Sequence, residues 1–129
     1  MSNVAIKKKR PVYLNLVQIR LPLPGFVSIL HRVSGTLLFL AAVWLLFMLD
    51  RSLSSEAGFQ STKHYLGFPI VKLALLGIVW AYCHHFCAGI RYLFLDLDKG
   101  VDLETARLTS WIVLGASLAL TLFLGWKIW

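Results

Sequence analysis

From Val33 to Leu49 the chain carries no charged side chain, and two more apolar stretches follow, Leu66–Leu95 and Thr109–Trp129. A helix crosses the hydrocarbon of a bilayer with about 20 mostly apolar residues. Each stretch is long enough, the first beginning near Phe26. Strands of a membrane barrel would alternate apolar and polar residues at period two. The run Leu37–Phe47, Leu-Leu-Phe-Leu-Ala-Ala-Val-Trp-Leu-Leu-Phe, does not alternate. The expected fold is an all-α membrane protein with three transmembrane helices, at about 26–49, 66–95 and 109–129.

Composition supports this. Of 129 residues, 58% are hydrophobic and 15% charged, with a mean hydropathy of +0.72. Soluble domains average roughly 45–50% apolar and about 25% charged. So short a chain cannot bury the excess, which excludes a soluble enzyme, a disordered tail and a small nucleic-acid-binding domain. The net charge of +7 belongs to residues flanking the apolar runs, so nucleic acid is not an expected partner. Nine basic residues lie on the side of the N-terminus and the second loop, against four on the other. By the positive-inside rule the N-terminus is cytoplasmic.

The run Lys7-Lys8-Lys9-Arg10 could open a signal peptide, but the apolar core that follows is too distant and too long for one. Residues 1–25 read as a cytoplasmic and interfacial segment, with Tyr13–Leu21 lying along the membrane surface, and 26–129 as one transmembrane domain. Asp50–Tyr65, rich in Ser, Thr, Gly and Gln, reads as a solvated connection. Cys83 and Cys87 share a helical face at about 5–6 Å, too far apart for a disulfide, and are expected to stay free thiols.

Ionisable groups at membrane depth are costly and mark function. One cluster is Ser28, His31, Arg32 and Ser34; the other is His84, His85 and Arg91, followed by Asp96 and Asp98. At 1.5 Å per residue, His31 and His85 lie at comparable depth on antiparallel neighbours, with Arg32 and Arg91 nearer the cytoplasmic surface. Histidines beneath a rim of arginines suit a haem: imidazole binds iron and guanidinium pairs with propionate. Ala74, Gly77, Ala81, His85, Ala88 and Gly89 form a small-residue stripe, which otherwise simply lets helices pack closely. His84 lies about 100° around the helix from His85, so both cannot ligate one iron; it reads as a satisfied interfacial histidine, and His64 as solvated. Spacing leaves His31 open as a second axial ligand. Ser28 and Arg32, four apart, share a face where a polar-headed lipophilic molecule could bind.

Two motifs carry a resemblance. Arg10-Pro11 followed by Ser28-Ile29-Leu30-His31-Arg32-Val33-Ser34-Gly35, and His85-Phe86-Cys87-Ala88-Gly89-Ile90-Arg91 running on to Asp96, resemble the signatures of the cytochrome b556 membrane-anchor subunits of bacterial succinate dehydrogenase. Tyr92, Leu95 and Asp98 depart from that pattern. The resemblance implies a multi-pass subunit of the bacterial inner membrane that packs with a sister anchor and shares one haem b with it. Its axial ligand is then His85, because a register starting at His84 would put Ile90 where the pattern needs arginine. The sister anchor supplies the other ligand, and His31, Arg32 and Arg91 lie near the propionates. Ser28, Arg32 and Ile29 contribute to the ubiquinone site. A flavoprotein and an iron–sulfur subunit complete the complex and hold the succinate chemistry, so no catalytic residue is expected here. A fumarate reductase anchor and a non-haem scaffold or transport subunit are the alternatives. Intramembrane carboxylates or inverted repeats would favour a transporter, and neither is present.

Overall fold

The computed structural model describes residues 20–128. Lys7–Arg10, Arg10-Pro11, Trp129 and all but the last two residues of Tyr13–Leu21 lie outside them. The described residues form four helices and no strand: α1 Leu23–Ser54, α2 Glu56–Leu66, α3 Pro69–Asp96 and α4 Leu103–Ile128. Three of these, α1, α3 and α4, are long and apolar enough to cross a membrane, as expected. α3 packs against both α1 and α4, and α1 and α4 share a smaller seam.

Local chemistry sets the ends. Pro22 caps α1 and Pro24 occupies its first turn, while Pro69 opens α3. A proline there has its φ pre-set and lacks only an N–H that would go unpaired. α4 starts at Leu103, six residues before the expected Thr109. The Asp102 Oδ1 accepts the Thr105 N–H at 2.9 Å, so a polar turn outside the apolar stretch is still helical. That bond also holds the Asp102 carboxyl below the usual carboxylate range.

The 50–65 connection is the main correction. It is not a solvated loop: α1 continues to Ser54, and α2 follows after a single residue. Ser55 caps α2 by accepting the Gly58 N–H at 3.0 Å, Glu56 sits in the first turn and Lys63 and His64 in the last. Each charge complements the helix dipole. The Gln60 amide donates to Glu56 at 2.8 Å one turn back. A polar segment with these caps is a surface helix, not a loop.

At the other end, α3 stops in a Schellman turn. The N–H of Lys99 donates to the Phe94 carbonyl and that of Asp98 to the Leu95 carbonyl, both at 3.0 Å. This pattern places a left-handed residue just beyond the helix, a position glycine normally takes. Here Asp98 holds it, at φ 56°, which gives its departure from the family pattern a local meaning. Asp98→Gly is expected to stabilise the turn by about 1 kcal/mol, read as a higher melting temperature of the detergent-solubilised protein. An unchanged or lower value would show that the Asp98 side chain contributes more than its backbone strain costs.

Polarity is inverted relative to a soluble bundle. Phe39, Leu46, Leu93, Trp111 and Leu122 are exposed, whereas Ser34, Ser110, Ser117, Ala81 and Ala88 are buried. Lipid is as apolar as leucine, so helices here associate through close packing of small residues. The buried hydroxyls need no partner helix: Ser110, Ser117 and Thr121 donate to carbonyls of their own α4 turns at 2.6, 3.0 and 2.7 Å.

Candidate functional site

His31 on α1 and His85 on α3 meet at the basic end of the bundle. Their rings stack at 4.1 Å between centroids, 9° from parallel. The His85 Nδ1 lies 3.1 Å from the His31 carbonyl oxygen and 3.2 Å from Ser34 Oγ. A carbonyl only accepts, so Nδ1 carries the proton and donates, and Nε2 keeps its in-plane lone pair. Ser34 Oγ spends its own proton on the same carbonyl at 2.9 Å, so it faces Nδ1 as an acceptor. A metal-ligating histidine is held in this way, its remote nitrogen donating to backbone or carboxylate while the other faces the metal.

Gly35 makes the close approach possible. A Cβ there would come to 2.9 Å from the His85 Cε1, below any ordinary contact. Ser34 and Gly35 follow His31 by three and four residues, so both lie on its side of α1. Both residues stood in the quoted motif, and this spacing is the signal that marks them as supports for His85.

The stacking also bears on His31 as a second ligand to the same iron. Imidazole lone pairs lie in the ring plane, and two nearly parallel, stacked rings direct them side by side, not toward a common point. In this arrangement the two histidines cannot bind one metal between them. Among the described residues no group of three or more His, Cys, Asp or Glu gathers.

Tyr92, seven residues beyond His85 and on the same face, is a member that sequence reasoning registered only as a departure. Its ring lies 5.0 Å from the His31 ring, and among the described residues neither its buried hydroxyl nor His31 Nε2 has a hydrogen-bond partner.

The arginines separate. Arg32 is exposed on α1, next to the half-buried Ser28 and Ile29. Arg91 instead turns toward α4: it is 7% exposed, its Nε donates to Thr109 Oγ1 at 3.1 Å, and its guanidinium lies 5.7 Å from the Tyr92 ring centre. One rim of arginines over both histidines is therefore not what the fold builds. His84 is fully buried and stacks on Trp80 at 5.6 Å, away from the His31–His85 pair. Its ring has the Val27 backbone of α1 as a hydrogen-bonding neighbour, inside the helix interface where it was expected. His64 is exposed on α2. Cys83 and Cys87 are free thiols, as their spacing implied. The small-residue stripe is split, with Ala81 and Ala88 buried and Ala74 and Gly77 on the outside.

Known proteins are similar to this chain in sequence along most of its length. The family described as the succinate dehydrogenase/fumarate reductase transmembrane subunit matches residues 6–124. The chain belongs to that family. It is 34% identical over 122 residues to the succinate dehydrogenase cytochrome b556 subunit of Rickettsia felis, covering 92% of this chain and 93% of the relative. The subunit of that name from Paracoccus denitrificans is 32% identical over 115 residues, covering 86% and 85%. The cytochrome b560 subunit of Reclinomonas americana is 30% identical over 119 residues, covering 88% and 82%. The chain is thus a membrane-anchor subunit of the complex II class, and the scaffold and transporter readings are not favoured.

Proposed function

We propose that this chain anchors a succinate:ubiquinone oxidoreductase in the bacterial inner membrane, contributes His85 as one axial ligand to a haem b shared with a sister anchor, and forms part of the ubiquinone site. The observation that carries the reading is the state of His85. Its Nδ1 proton is committed to the His31 carbonyl, which orients the ring and leaves Nε2 as the free donor atom. When bound, haem b supplies a one-electron carrier within the membrane. The second ligand comes from the sister subunit, since the stacked His31 is turned for a different task. His31 Nε2, buried and without a partner among the described residues, can hydrogen-bond a propionate, with Arg32 supplying charge at the exposed edge. Arg91, turned to Thr109, drops out of that set.

Ser28, Ile29 and Arg32 flank the same end of α1. There the hydroxyl and guanidinium can hydrogen-bond a quinone carbonyl and stabilise the negative charge that develops on reduction, while Ile29 meets the apolar ring. A site at the membrane edge keeps the isoprenoid tail in lipid and lets protons arrive from water. Succinate oxidation itself belongs to the flavoprotein, reached through the iron–sulfur subunit, so this chain is no catalyst alone.

The test separates the two half-reactions in the assembled complex. Ser28→Ala and Arg32→Leu are expected to lower succinate:ubiquinone activity roughly 10- to 100-fold, the usual scale for a lost hydrogen bond to a developing charge. Succinate oxidation by an artificial dye should persist. If both activities fall together the substitutions have blocked assembly, and if neither falls the quinone lies elsewhere.

A further inference from the structure

A cavity of about 340 Å³ opens between the C-terminal end of α3 and the start of α4, with Arg91, Lys99, Thr109, Phe94, Ile112 and Val113 in its wall. It contains neither histidine of the stacked pair, nor Ser28 or Arg32. Its volume falls in the range of small-ligand pockets, ~300–1,000 Å³.

Arg91 is the feature that calls for a ligand. A buried charge is costly unless paired, and Arg91 is 7% exposed with, among the described residues, the neutral Thr109 hydroxyl and the face of Tyr92 beside it. No carboxylate lines the cavity, and the second charge there, Lys99, is also positive. The cations sit toward the helix ends, whereas Ile112 and Val113 continue the wall down α4 toward the membrane interior. A site that is cationic at the surface and apolar beneath has the polarity of a phospholipid standing in one leaflet. A free anion would leave the apolar floor unused, and a partner helix would leave Arg91 unpaired unless it brought its own acid.

We propose that this cavity seats one anionic phospholipid. Its phosphate lies between Arg91 and Lys99, and an acyl chain runs along Ile112 and Val113. Thr109 is a positioning residue that holds the guanidinium in place.

Native mass spectrometry of the delipidated, assembled complex tests this, with titration of dioleoylphosphatidylglycerol, dioleoylphosphatidylcholine and inorganic phosphate. Wild type should retain one phosphatidylglycerol in preference to phosphatidylcholine. A basic residue near the membrane surface contributes enough for about a fivefold change, so Lys99→Ala should weaken phosphatidylglycerol about fivefold and Lys99→Glu about thirtyfold. Ile112→Trp, which fills the floor from an exposed position, should weaken both lipids alike. Equal retention by wild type and all three variants overturns the proposal. So does displacement of the lipid by millimolar phosphate, which would make the cavity a phosphate site. Loss of haem absorbance in the Lys99 variants would also overturn it, because the cavity would then belong to the haem. Failure of the separate quinone-site test above leaves these measurements readable.

Discussion

His85→Ala is expected to abolish the reduced α-band of b haem in membranes that still contain the assembled complex. Axial ligation is an all-or-none contribution from this chain, and His85 is the ring tied by Nδ1 to the His31 carbonyl and Ser34 with Nε2 left free. The control is the neighbouring residue. His84→Phe keeps a ring of similar shape against Trp80 and removes a fully buried imidazole. Because His84 packs on Trp80, away from the His31–His85 pair, this substitution should leave the haem in place. A wild-type spectrum in His85→Ala, or loss of haem in His84→Phe with His85 intact, would show that the ligand has been assigned to the wrong residue.

Gly35→Ala is expected to loosen the haem without touching any ligand. Exposed in a helix, that change would help by about 0.5–1 kcal/mol, because alanine is the better helix former. Here the new methyl would stand 2.9 Å from the His85 Cε1. The ring cannot simply swing away: it is stacked on His31 and tied to the His31 carbonyl and Ser34. Relieving the clash breaks those ties, and loss of such supports typically weakens metal binding 10- to 100-fold. Haem content per assembled complex, measured by pyridine haemochrome after dilution, should fall accordingly. Gly35→Val should fall further. Full haem occupancy and an unshifted spectrum in both variants would mean that His85 is held less firmly than its contacts indicate.

Most of the architecture was legible in the chain. The three spans follow from long uncharged runs, a constraint the bilayer imposes on composition alone. Their ends were less legible. Turns such as Asp102–Thr105 and Ser55–Gly58 are helical through single capping bonds, which hydropathy does not register. Counting depth along the helices put His85 level with His31, as their stacked rings bear out, and the helical offsets of Ser34 and Gly35 from His31, and of Tyr92 from His85, align them with the pair. The fate of Arg91 was not legible. Six residues put it about 120° around α3 from His85, but only the packing of α4 decides that it meets Thr109.

The sequence by itself determined that this is a three-span helical membrane subunit with histidines and arginines gathered at its basic end. That follows because charge and apolar length are properties of residues, whatever their neighbours. Tertiary structure alone decided what each polar group faces. The His31 carbonyl orients the His85 ring, the stacked pair cannot share one iron, and Arg91 turns to a cavity of its own. Those outcomes depend on the rotation of α1, α3 and α4 about their axes, which small-residue packing sets and no single helix encodes.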